Sequence, residues 1–294
     1  MNLDLHSVRS ALFLPASNPR AIAKARDAGS DLVILDLEDA VKPEDKVSAR
    51  AAAIEAVAEP WPMLVAIRVN SSRSEWHGQD VVAVMHSNVP LIVVPRVEGK
   101  EELAFVRNQT GRPVLAMVET AKGVVAAHTI AHEAAALIAG TNDLAADLHL
   151  PPGAGRAPLQ MALQSIVLAA RAEGIAVFDG VYNRLEDSEG LAAECAESRS
   201  LGFDGKSLIH PEQIAPCHAV FAPTQEEIDR AERLVGAASG GAERFEGAMM
   251  SACTSRRQGA CWTAPTAEAL GESACLCQRR AWLNSSTLPT SRWA

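Results

Sequence analysis

Eight short apolar runs, each followed by an amphipathic stretch, most constrain what this chain can fold into. The runs are Ala11–Pro15, Asp31–Asp36, Met63–Asn70, Leu91–Pro95, Pro113–Glu119, Ala136–Gly140, Ile175–Asp179 and Asp204–Ile209. Each is apolar at successive positions rather than alternate ones. A strand with one face in water alternates, whereas a strand buried on both faces does not, and parallel strands covered by helices meet that second condition. Helical patterns lie between the runs. Pro19–Ala28 opens with a first-turn proline and stops at Gly29, and Pro43–Ala58 places Val47, Ala51, Ile54 and Val57 on one face. Pro158–Glu173 does the same with Leu159, Leu163, Ile166 and Ala170, and Thr224–Ala238 opens on a capping-box pair, Thr224 and Glu227. Eight strand–helix units in roughly 200 residues predict an α/β chain folded as a (β/α)8 TIM barrel. An open doubly wound sheet would show the same local pattern.

Composition narrows the partners. The 294 residues carry 27 Lys and Arg against 36 Asp and Glu, a net charge of -9. This argues against nucleic acid, whose phosphates need a clustered basic surface. No run of apolar residues is long enough to span a bilayer, and the opening residues lack a basic segment followed by an apolar one, so a cytoplasmic protein is expected.

The averages hide two unlike segments. Residues 248–294 hold five Arg, no Lys and two Glu, while the first 247 hold 22 basic and 34 acidic residues, a net of -12. The last segment also lacks Val, Ile, Asp, Phe, Tyr and His, and contains Cys253, Cys261, Cys275 and Cys277. The chain is therefore expected to divide into a barrel, 1–247, and an atypical, poorly ordered tail, 248–294.

A barrel places its chemistry at the C-terminal ends of its strands. Several runs here end in polar or charged residues: Asp36-Leu37-Glu38-Asp39, Arg68-Val69-Asn70, Pro95-Arg96, Glu119-Thr120, Asp143 shortly after Gly140, and Asp179. Glu119 and Asp143 end neighbouring strands, with no His beside either. That donor set suits a hard cation such as Mg²⁺ rather than zinc. Arg68 would face the same mouth and could hold a carboxylate or a developing oxyanion. Each of these residues also has a structural reading, as a helix cap or strand-end ion pair.

Six strings in order, from Arg9-Ser10-Ala11-Leu12-Phe13-Leu14-Pro15 through Ile34-Leu35-Asp36-Leu37-Glu38-Asp39, Arg68-Val69-Asn70, Val118-Glu119-Thr120-Ala121-Lys122-Gly123 and Gly140-Thr141-Asn142-Asp143-Leu144 to Gly205-Lys206-Ser207-Leu208-Ile209-His210-Pro211, give the chain its resemblance. It resembles the citrate lyase β-subunit-like group of the HpcH/HpaI aldolase family, which includes malyl-CoA and citramalyl-CoA lyases. The resemblance implies a Mg²⁺-dependent carbon–carbon lyase that assembles as a homo-oligomer, a trimer or hexamer. It matches Glu119 and Asp143 to metal ligands and Arg68 to the arginine that binds substrate and stabilises an enolate. Glu38 and Asp39 match acidic residues beside the metal. Phe13, Arg20 and Lys24 fall where relatives hold the coenzyme A nucleotide, and Asp179 falls in a stretch lining the acyl pocket. The expected substrate is an acyl-CoA. A class II aldolase on free 4-hydroxy-2-oxo acids and a catalytically impaired acyl-CoA-binding barrel are the alternatives.

The tail departs from that family. Relatives carry an Asp, after a Phe-x-Gly segment, that reaches a neighbouring subunit; here Phe245-Glu246-Gly247 is followed by Ser251 at that place. The altered composition beyond it has the look of translation in a shifted frame. Of the remaining candidates, His210 is expected to be structural and Cys195 to lie in the core.

Overall fold

A computed structural model describes residues 4–237, 243–245 and 248–250. All eight apolar runs form strands: β1 (Ser10–Pro15), β2 (Leu32–Asp36), β3 (Leu64–Arg68), β4 (Leu91–Val94), β5 (Val114–Val118), β6 (Ala136–Ala139), β7 (Ala176–Asp179) and β8 (Gly205–Leu208). Each pairs in parallel with the next, and β8 returns to β1 through Ser10 opposite Lys206 and Leu12 opposite Leu208, closing the barrel. The open-sheet alternative is thereby excluded.

The helices around it are α1 (Pro19–Ala25), α2 (Lys46–Ala56), α3 (His77–Met85), α4 (Lys100–Thr110), α5 (Ala121–Val125), α6 (Ala127–Ala131), α7 (Thr141–Asp147), α8 (Gln160–Glu173), α9 (Ser188–Leu201) and α10 (Ile214–Phe221). The fold class and the positions of the strands agree with the sequence expectation.

Two apolar cores follow from strand alternation. Ala11, Leu32, Ile34, Ala66, Leu115 and Phe178 fill the barrel interior, with Leu5 and Val8 joining them from the N-terminal segment. Leu12, Val33, Ile67, Val94, Val118 and Val177 face the helices. A residue's parity along its strand therefore decides whether a polar side chain at the strand end enters the mouth or the helical layer.

The helix α8 buries Leu159, Leu163, Ile166 and Ala170 as its pattern predicts, and Gly174 ends it in the left-handed conformation at φ 69°. The helix α2 follows its pattern only toward its end, where Val57 is buried and Ile54 packs against the core. Val47 is 59% exposed, and the buried face is Lys46, Ala49 and Ala53. Small alanines let the helix approach the barrel closely. Lys46 is tolerated inside because its Nζ donates to the Leu37 and Glu38 carbonyls at 2.7 and 2.8 Å and to Asn70 Oδ1 at 2.7 Å.

The barrel unit ends at Ala222, and a second unit begins at Pro223. Its described part contains α11 (Gln225–Ala237) and an antiparallel pair, β9 (Glu243–Phe245) and β10 (Ala248–Met250). The predicted capping box is present: the Thr224 Oγ1 accepts from the Glu227 amide at 3.2 Å, and Glu227 accepts from the Thr224 amide at 2.8 Å. The boundary placed at 247, Ser251 and the rest of the tail lie outside the described residues.

Candidate active site

The C-terminal mouth of the barrel opens into a cavity of about 380 Å³ whose charged lining is Asp36, Asp39, Arg68, Glu119 and Asp143. Asp36 and Arg68 share the inward parity of Ile34 and Ala66, so the last residues of β2 and β3 point into the mouth. They stand opposite each other in the strand register.

Arg68 is held by Asp36 through a two-point fork, Nε to Oδ1 and Nη2 to Oδ2, both at 2.6 Å. Asp36 also accepts the amides of Glu38 and Ala40 at 2.9 Å each, which shapes the turn after β2. Burial pushes the Asp36 carboxyl up, but the Arg68 charge and these donors more than offset it, and it sits below the usual carboxylate range. Arg68 Nη1 is left with weaker partners. It lies 3.6 Å from Met117 Sδ and 3.1 Å from Glu38 Oε2, and the latter oxygen is buried without an aligned hydrogen bond. The ring of Phe13 lies 5.2 Å from the guanidinium carbon, a cation–π contact.

Glu119 follows β5 and reaches the mouth because Gly140, after β6, has no side chain. A Cβ there would lie 2.3 Å from the Glu119 Cβ and 2.4 Å from its Oε2. Glu119 Oε1 accepts the Arg96 amide at 2.6 Å, and the Arg96 Nη1 donates to Asp143 Oδ1 at 2.9 Å. Arg96 does this from a left-handed backbone conformation, φ 51°, a strained state for a residue with a side chain.

The carboxylates outweigh the cations here. Burial first, then neighbouring carboxylates, push Glu38 to about 8 and Glu119 to about 7 against the opposing pull of Arg68. A mouth in which carboxylates outnumber cations, with a cradle for Glu119 kept open by Gly140, fits a divalent cation on Glu119 and Asp143.

The other predicted residues divide. Asp39 is largely exposed, 3.9 Å from Arg68 Nη1. Arg20 and Lys24 are exposed on α1 and do not line the cavity. Asp179 departs from its expected place in the acyl pocket. It shares the parity of Val177, faces the helices, and bonds Lys206 at 2.6 Å, Arg156 at 2.7 Å and Ser198 at 2.5 Å. A carboxylate wholly removed from water is held there because all its partners are donors. His210 caps the turn after β8, accepting the Glu212 amide, and Cys195 is fully buried, both as expected.

Sequence reasoning missed Asp36, Arg96, Gly140 and Lys206 as organising residues. Asp36 and Arg96 stand in the noted strand ends, but the pairing of Asp36 with Arg68 and of Arg96 with Glu119 and Asp143 depends on strand register and on which face each side chain takes.

The geometry defines a class first: a (β/α)8 barrel carrying a clamped arginine beside a carboxylate pair. Residues 9–211 match the model of the HpcH/HpaI aldolase/citrate lyase family, and residues 156–270 match the model of the C-C bond lyases of the TIM-barrel fold. The chain belongs to the HpcH/HpaI aldolase/citrate lyase family. It is 40% identical over 238 residues to the (3S)-malyl-CoA thioesterase of Cereibacter sphaeroides, covering 79% of this chain and 83% of that one. It is 34% identical over 251 residues to the citrate lyase subunit beta of Escherichia coli, covering 80% and 83%. The structure of CitE from Mycobacterium tuberculosis in complex with magnesium, acetoacetate and coenzyme A aligns with a TM-score of 0.75 at 31% identity, over 87% of this chain and all of that one.

Proposed function

We propose that this chain is a Mg²⁺-dependent carbon–carbon lyase that cleaves, or in reverse forms, a 3-hydroxyacyl-CoA thioester such as malyl-CoA or citramalyl-CoA. The products are acetyl-CoA and a 2-oxo acid. The observation that carries this reading is the placement of Arg68, clamped by Asp36 on two nitrogens and ion-paired with Glu38 through Nη1, beside Glu119 and Asp143 in one mouth.

Glu119 and Asp143 would hold Mg²⁺, which when bound supplies a Lewis acid to the substrate's hydroxyl and carboxylate oxygens. Arg68 Nη1 donates to the thioester oxygen as it gains enolate character when the carbon–carbon bond breaks. The Asp36 fork fixes the donor in advance, so little reorganisation is required at the transition state. Glu38, whose Oε2 lies 3.1 Å from Arg68 Nη1, takes the hydroxyl proton. Phe13, in the mouth beside Arg68, and the exposed Arg20 and Lys24 hold the coenzyme, the two cations meeting its phosphates. A cytoplasmic location and assembly as a trimer or hexamer belong to the same proposal, the latter checked by light scattering.

A second reading, thioester hydrolysis, is favoured by the 40% identity to a malyl-CoA thioesterase. One assay separates them. Purified protein and Mg²⁺ are incubated with malyl-CoA, citramalyl-CoA and free 4-hydroxy-2-oxo acids. Acetyl-CoA with a 2-oxo acid supports the lyase, and free coenzyme A with the intact hydroxy diacid supports the thioesterase. Turnover of free acids alone overturns both, and stabilisation by acyl-CoA without turnover identifies an impaired binder.

A further inference from the structure

Two arginines face the carboxylates of this mouth, and they are held very differently. Arg68 is 7% exposed and its fork with Asp36 is buried, so it is a permanent fixture. Arg96 and Asp143 have side chains 38% and 36% exposed and share a single bond at 2.9 Å. A half-exposed single-point pair is easily broken.

The backbone at Arg96 is also unusual in what it accomplishes. Pro95 follows β4, and the left-handed turn at Arg96 points its amide at Glu119 Oε1 while its side chain reaches Asp143 Oδ1. The next residue returns at once to barrel register, with the Val97 amide donating to the Met117 carbonyl at 3.1 Å. One residue thus touches both carboxylates assigned to Mg²⁺, one through its amide and one through its guanidinium. The amide contact is independent of the side chain. The guanidinium contact is cationic and lies on one oxygen, Oδ1, of a carboxylate assigned to the metal.

We propose that Arg96 is a built-in counter-ion that competes with Mg²⁺ for Asp143 and so sets the metal affinity of the site. The inference rests on the reading of Glu119 and Asp143 as metal ligands. While the guanidinium is on Asp143, the exposed carboxylate is neutralised and the mouth is kept from collecting other cations. When Mg²⁺ arrives, the guanidinium swings into solvent, and the amide keeps Glu119 in place throughout. Arg96 is a positioning residue in this scheme, and its effect is read in metal binding rather than in turnover.

Calorimetric titration of the full chain with Mg²⁺ tests this on wild type, Arg96→Gln and Arg96→Lys. Arg96→Gln is expected to bind Mg²⁺ about fivefold more tightly, the scale of one half-exposed ion pair. Arg96→Lys, which keeps the charge, should stay within about twofold of wild type, and the Gln difference should close at about 1 M salt. Equal or weaker binding by Arg96→Gln, with wild type binding normally, overturns the counter-ion and leaves the metal ligands standing. Tightening by Arg96→Lys equal to that by Arg96→Gln overturns it as well. No Mg²⁺ binding by wild type overturns both readings together. Wild type alone gives a second measurement, independent of how the variants fold. Phenylglyoxal labelling followed by peptide mass spectrometry should show Arg96 modified severalfold faster with saturating Mg²⁺ and Arg68 unchanged. Arg96 labelling insensitive to Mg²⁺ sinks the proposal.

Discussion

Arg68 Nε and Nη2 each lie 2.6 Å from an oxygen of Asp36, with the two side chains 8% and 1% exposed. The fork orients a guanidinium that would otherwise sweep the mouth, and it sets Nη1, the donor proposed for substrate, 3.1 Å from Glu38 Oε2. Removing one partner strands a buried charge. Asp36→Asn is expected to lower stability by about 3 to 5 kcal/mol in urea unfolding. Arg68→Lys, which cannot form the fork, should reduce kcat by about 100-fold or more while the protein stays folded. Normal turnover in Arg68→Lys would remove Arg68 from the chemistry.

Gly140 controls access of Glu119 to the mouth, since a Cβ would lie 2.3 Å from that of Glu119. Gly140→Ala should push Glu119 aside, destabilise the chain by about 1 to 3 kcal/mol, and weaken Mg²⁺ binding in calorimetry. Unchanged affinity would show that Glu119 is not a ligand.

Glu38 is assigned the proton transfer, not the metal. Glu38→Gln keeps the size of the side chain and removes the base, so kcat should fall by about 100- to 10,000-fold while Mg²⁺ affinity changes little. A loss of metal binding with turnover retained would reverse the assignment.

The Asp179–Lys206–Arg156 cluster gives stability a defined pH dependence. Burial pushes the Asp179 carboxyl up, but Lys206 and Arg156 prevail, and it titrates below its ordinary range. Its contribution is therefore complete above the unfolded carboxylate value, about 3.9, and is lost as pH falls through the lower folded value. Burial pulls Lys206 down, but Asp179 and Glu194 hold it above its ordinary value. Its contribution is complete below about 10.4 and is lost as pH rises through the folded value. Urea midpoints measured from pH 2 to 11 should fall at both ends. The acid limb should shrink in Asp179→Asn and the alkaline limb in Lys206→Met, each variant being destabilised at neutral pH.

The tail is testable in the coding DNA. If residues 248–294 arise from a shifted frame, one of the other frames past codon 247 should encode apolar residues, an Asp and a helical pattern. Failure of both frames to do so leaves the tail as native sequence.

The amino-acid order by itself determined the eight strands, the α/β class with a parallel sheet and which strand ends carry charge, while the β8–β1 pairing decided for the closed barrel over the open sheet. Runs of Val, Ile and Leu apolar on both faces have one stable setting, a parallel sheet roofed by helices. The same two-sided apolarity erased the inward–outward code, and only closure of the barrel restored it. Asp36 and Asp179 end β2 and β7 alike in sequence, yet one enters the mouth to clamp Arg68 and the other turns to Lys206 among the helices. Periodicity likewise favoured Val47 on the buried face of α2, where packing chose Lys46, because three acceptors from other segments converge on its Nζ. Those acceptors, the Arg96 bridge between Glu119 and Asp143, and the room Gly140 leaves for Glu119 all join residues distant in the chain. Sequence spacing cannot express them, and the tertiary structure alone decided them.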